Sequence, residues 1–347
     1  MNRAIVAASG GGITRAECGP GGEWLVENPL KGQDVRCLAA DPHNPDVVYA
    51  GTQGNGVLRS DDRGRTWRPA GMEGHVVKSI AVSPAQSDLV FAGTKPPAVF
   101  VSRDNGQHWA ELEAFRNKRR WWWFTPAEPG APYVQSIALS PTNRDVIVAG
   151  VELGAVIRSV DGGETWSNHL KGAGRDCHSM TFHASDGNWV YQAGGTGAAF
   201  SHDGGATWRQ PDRATLFDFI QLTFGGGIRP SRGGLDRIYG FAVGADSAHP
   251  DVWYISASPG PLKAHGDGNA EAYIYRRSGE SAWQKLSGGL PQPLPHMPYA
   301  LLPGCQTPGH LYAVLNNGDV WHTSDFGEGW RQLPLNLGRL WTAVMLD

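Results

Sequence analysis

The chain has 347 residues with 47 Gly, 24 Pro, 14 Trp, 11 Phe and 9 Tyr, so it is turn-rich yet far too aromatic for a disordered or collagen-like chain. Thirty basic and 33 acidic residues leave a net charge of -3, which excludes a polycationic nucleic-acid binder. No apolar run approaches the ~18 residues of a spanning helix, and no basic amphipathic stretch reads as a membrane anchor.

In chain order, AIVAASGGG near the N-terminus is too short an apolar run for a secretory signal, and it reads instead as a strand followed by a glycine turn. Cys18, Cys37, Cys177 and Cys305 show no paired spacing, so free thiols and a cytoplasmic location are expected. From Val35 the chain settles into a rhythm. VRCLAAD, VVYAG, GVLRS and TWRPA are four short β-patterned runs separated by turn residues such as Pro42 to Pro45 and Gly54-Asn55-Gly56. The same four-run unit restarts near Val77, Val134, Cys177, Ile238 and Met297. LWTAVML at the C-terminus has the character of a unit's first strand, whose other three strands are supplied by AIVAAS, ITRAE and EWLVE at the N-terminus.

An internal motif marks each unit. SDDRGRTW ends at Trp67, SRDNGQHW at Trp109, SVDGGETW at Trp166 and SHDGGATW at Trp208, with weaker copies ending at Trp24, Trp283 and Trp330. The spacing is about 42 residues, lengthened twice by insertions, and it is about 41 when counted from Trp330 through the joined termini to Trp24. A ring explains that closing interval, whereas a linear array does not. The expectation is therefore all-β: one domain over residues 1–347, a seven-bladed β-propeller of four antiparallel strands per blade, its last blade closed by the two termini. Pairing first to last removes open sheet edges.

The Ser-x-Asp-x-Gly-x-Thr-Trp motif resembles the Asp-box, or bacterial neuraminidase repeat, of sialidases, sortilin-type receptors and photosystem II assembly factors. The resemblance covers the whole chain and implies the propeller fold, with the box at the turn between third and fourth strands. There Asp62, Asp104, Asp161 and Asp203 accept backbone N–H groups, Gly64, Gly106, Gly163 and Gly205 supply the turn angles, and each Trp wedges against a neighbouring blade. Identical turns spread around a ring cannot converge on one substrate, so the motif speaks for scaffold rather than catalysis.

Propeller geometry places the long segments 112–133, 209–237 and 258–272 on one face, around the mouth of the central channel, where ligand sites concentrate. The same rim gathers the candidate site. Glu152, Asp236, His178 and Tyr239 are the candidate acid–base groups. Arg175, Asp176, Arg237, Lys263, His265, Trp122 and Tyr299 are the candidate ligand-binding residues. Arg36, Lys78, Gln135, His178 and Tyr239 occupy the second position of successive inner strands, a ring of long polar side chains at the channel entrance. Trp121-Trp122-Trp123-Phe124 after Lys118-Arg119-Arg120 offers either a sugar-stacking platform or a plug that packs the insertion down, with at least one Trp turned inward. No ligand spacing such as HExxH marks a resident metal, although converging loops leave room for a divalent ion among His178, His265, His296 and Glu152. His178 and His183 lie about 16 Å apart along one strand and cannot share an ion.

Set against the sialidase pattern, Arg175, Arg229, Arg237, Tyr239, Asp176, Asp236 and Glu152 lie on the appropriate face. The Phe-Arg-Ile-Pro signature is missing, with only Ile228-Arg229-Pro230 similar, and sialidases have six blades. Sialidase activity is set aside. The expected function is binding of a carbohydrate-like or anionic small molecule, with glycoside hydrolysis through Glu152 and Asp176 or Asp236, or lyase chemistry through Arg175 or Arg237 and His178 or Tyr239, as the reactions the residue types allow. A non-catalytic scaffold for a partner protein and a metal-dependent hydrolase are the alternatives.

Overall fold

The computed structural model describes residues 3–118, 123, 131–211, 234–305 and 307–346. Seven antiparallel sheets form a ring. The innermost strands, in blade order, are Val35–Ala40, Val76–Val82, Val134–Leu139, Cys177–Phe182, Tyr239–Ala245, Pro298–Pro303 and Thr342–Leu346. Each packs against the next, and the last returns to the first. The first six of these begin within one residue of the position read from the sequence. In the seventh blade, Thr342–Leu346 pairs with Ala4–Ser9, which pairs with Gly12–Cys18 and then Trp24–Lys31. Blades three and four carry a reduced fourth strand: the Ser167 N–H donates to the Arg158 carbonyl in one, and Phe200 bridges Arg209 in the other.

The repeated turn behaves as its residues require. Asp62 accepts hydrogen bonds from the Arg65 and Thr66 N–H groups at 3.0 and 2.8 Å and from the Thr66 hydroxyl at 2.6 Å. Gly64 sits at φ 82° and Gly163 at φ 96°, left-handed angles that a side chain resists. In blades one to four and six the residue before the box glycine is left-handed too, and blades one, two and six place Arg63, Asn105 and Phe326 there. In blades one to four and six the box Trp indole N–H closes the turn on the glycine carbonyl, as Trp166 does on Gly163 at 3.0 Å. Its ring then joins the apolar layer between blades: Trp166 packs with Phe91 and Val101 of blade two and Ile147 of blade three, and meets Phe115 edge-on at 5.2 Å. The core is thus a series of inter-blade layers.

Two further devices bring the inner strands together. Blades one to four each carry a β-bulge near the start of the inner strand, at Arg36, Lys78, Gln135 and His178. A bulged residue is re-aimed away from the sheet face, and these four point into the channel. The residue after the bulge staples the blade to its neighbour: Ser79 Oγ donates to the Val134 carbonyl at 2.8 Å, Ser136 Oγ to the Met180 carbonyl at 3.3 Å. On each facing second strand a glycine makes room. A Cβ on Gly93 would come within 2.7 Å of Val134 Cβ, and one on Gly150 within 2.8 Å of Cys177 Cβ.

Among the described residues, two short helices, Glu113–Arg116 and Pro261–Ala264, lie in the inserted segments. No helix among the described residues is long and apolar enough to cross a membrane.

Candidate functional site at the channel mouth

The bulge residues define the mouth. Arg36, Lys78, Gln135 and His178 line a cavity of about 250 Å³ together with Phe241, Tyr299 and Trp341. In blade five the bulge falls between Gly240 and Val243, so Phe241, not Tyr239, takes the ring position. Arg36 lies over the Trp341 ring at 5.4 Å and pairs with Asp34 at 2.5 Å, while its buried Nε has no hydrogen-bond partner among the described residues. Lys78 Nζ stands 4.3 Å from the centre of the Tyr133 ring. Phe241 stacks on Tyr299 at 4.3 Å, giving the cavity one aromatic wall.

Behind the wall formed by blades three and four, the loops gather a tight polar group. Glu152 follows the second strand of blade three, its N–H held by the Tyr133 carbonyl, and Asp176 precedes the inner strand of blade four. Glu152, Asp176 and His178 present ligand atoms all within 4.8 Å of one another. His178 Nδ1 is anchored to the Gly240 carbonyl of blade five at 2.6 Å, and its Nε2 lies 3.5 Å from Asp176 Oδ1. Burial penalises the charged imidazole, but the carboxylates of Asp176 and Glu152 outweigh that penalty and hold its pKa at about 9.

Beside His178 runs a chain of three rings. Tyr239 Oη meets His265 Nε2 at 2.9 Å, and His265 Nδ1 meets Tyr299 Oη at 2.6 Å. Enclosure of the His265 ring, with the nearby charge of His178, pushes its pKa down to about 4, so it is neutral and donates to one tyrosine while accepting from the other. Burial raises the Tyr239 phenol, helped by the charges of Asp176 and Glu152.

The structure therefore brings together Glu152, Asp176, His178, Tyr239, His265 and Tyr299, and sends the other candidates elsewhere. Arg175 turns away from its neighbour Asp176, donates to the Gly154 carbonyl at 3.1 Å and lines a second cavity of about 310 Å³ with Lys118, Trp123 and His169. Asp236 accepts from Lys285 at 2.7 Å and from the Tyr275 hydroxyl, on the outer strands of blade five. Arg237 lies over the Tyr273 ring at 5.2 Å, and Lys263 pairs with Glu271. His296 approaches Asp267 at 3.9 Å rather than the His178 group. His183 Nε2 meets the Asp246 carbonyl at 2.9 Å, a bond between blades. Trp122 and Arg229 lie outside the described residues. Trp123 is 5 % exposed in the blade two–three layer, the inward-turned member of the tryptophan run. Phe241 and Trp341 escaped the sequence reading. Aligning the bulge motifs would have found Phe241 only if the two-residue delay in blade five had been visible.

No protein-family model and no curated protein matches the chain. Solved structures do. The chain is similar to an ancestral GH74 enzyme, with 21% identity and a TM-score of 0.62 over 92% of this chain and 39% of that one. It is similar to the GH74 xyloglucanase of Xanthomonas campestris, with 19% identity and a TM-score of 0.67 over 99% of this chain and 52% of that one. It thus spans about half or less of those enzymes. YCF48 bound to D1 peptide matches with 15% identity and a TM-score of 0.52 over 86% of this chain and 81% of that one. At such identities these likenesses establish the propeller fold.

Proposed function

We propose that the channel mouth binds an acidic, carbohydrate-like small molecule. One observation carries the reading: a single cavity of about 250 Å³ combines the side chains of Arg36, Lys78 and Gln135 with a wall of Phe241, Tyr299 and Trp341. Cationic and amide donors suit carboxylate and hydroxyl groups, and aromatic faces suit the apolar face of a sugar ring. The unpartnered Arg36 Nε is a donor such a ligand would satisfy. Propellers of glycan-acting enzymes among the similar structures support the same ligand class.

Binding is preferred to turnover for a physical reason. Glu152 and Asp176 are close enough for double-displacement glycoside hydrolysis, which needs carboxyls about 5–5.5 Å apart. Asp176, however, is 6 % exposed and does not line the cavity, where His178 stands instead.

Calorimetric titration with uronic-acid and neutral oligosaccharides of equal length tests the proposal. The acidic sugar is expected to bind more tightly, and Arg36→Ala or Lys78→Ala to weaken it roughly tenfold or more, the worth of one charge-assisted hydrogen bond. Binding of neither sugar, or affinities that ignore both substitutions, would sink it. Silence across sugars together with capture of an extended peptide would favour a scaffold, the reading that the similarity to YCF48 bound to D1 peptide supports.

A further inference from the structure

We infer that Glu152, Asp176 and His178 form a site for one divalent transition-metal ion, of the zinc or manganese kind, at the edge of the channel mouth. The site is independent of the sugar reading and uses none of its charged contacts. Three features point to it. First, His178 is oriented as a metal-binding imidazole is: its Nδ1 faces the Gly240 carbonyl at 2.6 Å, which makes Nδ1 an N–H donor and turns Nε2 toward the carboxylates, where a metal ion would displace its proton. Second, Asp176 is 6 % exposed, yet its buried Oδ1 accepts no hydrogen bond among the described residues and points at Nε2 from 3.5 Å. That spacing is long for a hydrogen bond, but it matches the ~3.4 Å that separates two donors each about 2.1 Å from a tetrahedral ion.

Third, the charges balance. Two carboxylates and a neutral imidazole carry a charge of about −2, which one divalent ion neutralises in a setting where water has little access. The remaining donor separations are no more than 4.8 Å, a gap that rotation of the half-buried Glu152 side chain closes. One imidazole with two carboxylates suits zinc or manganese better than calcium, which prefers six or more oxygens, or copper(I), which prefers sulfur. Cys177, although adjacent in sequence, packs against Gly150 with its thiol pKa raised by burial, and it is not a donor here. Three protein donors leave a position for water or a ligand oxygen.

The test uses the full chain, stripped with chelator, and Zn²⁺ or Mn²⁺ alone as the probe in calorimetry, with no sugar present. One ion per chain is expected. Asp176→Asn and Glu152→Gln, which keep shape and remove charge, should each weaken binding tenfold or more. His108→Ala, which removes another histidine–carboxylate contact at the exposed Asp104 turn, should leave affinity unchanged. X-ray absorption on the zinc-loaded wild-type protein should show one imidazole with oxygen donors at about 2.0–2.2 Å, a measurement that does not depend on any variant folding. No uptake below millimolar metal, wild-type affinity in Asp176→Asn, loss in His108→Ala, or a shell with two imidazoles or a thiolate would each overturn the assignment. Two imidazoles would instead indicate the His310–His322 pair, whose ring nitrogens are 3.1 Å apart.

Discussion

Gly150→Ala probes how the fold holds the site. Gly150 lies on the second strand of blade three, opposite the start of the blade-four inner strand that carries His178. Its backbone angles are ordinary for a strand, so an added methyl meets no torsional objection; the objection is steric. The new Cβ would stand 2.8 Å from Cys177 Cβ and closer still to Cys177 Sγ, and the first of these is tethered to backbone. Overpacking of this kind costs about 1–3 kcal/mol. At about 2.1 cal/mol/K per residue, the 347 residues give an unfolding entropy of roughly 0.7 kcal/mol/K. A loss of about 2 kcal/mol then lowers the melting temperature by about 3 °C. The inner strand must shift by some tenths of an ångström, which carries His178 away from Glu152, so metal affinity should fall with stability. Cys177→Ala removes the sulfur but not the Cβ clash, so the double variant should lose less than the sum of the single ones, a coupling of about 0.5–3 kcal/mol. Thermal melts of the four proteins read this directly. An unchanged melting temperature in Gly150→Ala, or strictly additive losses, would refute the idea that blade spacing is set by bare glycines.

Acid should weaken the fold through His322. This ring is 4 % exposed, and burial, together with the charges of His310, Arg331 and Arg3, pushes its pKa from 6.5 to about 4. The unfolded chain therefore takes up the proton first as pH falls, and about 3 kcal/mol of stability is lost between pH ~6.5 and ~4, with none lost above that window. Urea titrations at several pH values should show the slope, and His322→Gln should lessen it, leaving the share that His265, also held near 4, contributes. Ser79→Ala removes an inter-blade hydrogen bond at 2.8 Å and should cost about 1 kcal/mol in the same assay, and no loss would deny the staple its role. Leu346→Ala, in the strand that closes the ring, empties a fully buried site and should cost about 2–4 kcal/mol. A loss below about 1 kcal/mol would mean the closing strand contributes little.

The blades, their order and the terminal closure were legible in the sequence because each rests on local chemistry repeated many times. A Ser-x-Asp-x-Gly turn needs only its own eight residues to form, and the box Trp carries its hydrogen-bond partner three residues away. The bulges too were half visible: VRC, VKS, VQS and CHS place a long polar residue before a small hydroxyl or thiol in four successive blades. What those residues meet was not legible. Arg175 and Asp176 are neighbours in the chain, yet one lines an outer cavity and the other joins His178, a choice made by loop angles that no periodicity encodes. Asp236 looked equal to Glu152 as a carboxylate on the rim, until the fold set Lys285 beside it from 49 residues away. His178 acquires its orientation from Gly240, 62 residues on, and the aromatic wall depends on where one bulge falls in blade five. Contacts between blades join segments tens of residues apart, so the scaffold can be read one turn at a time, while the site exists only once the ring has closed.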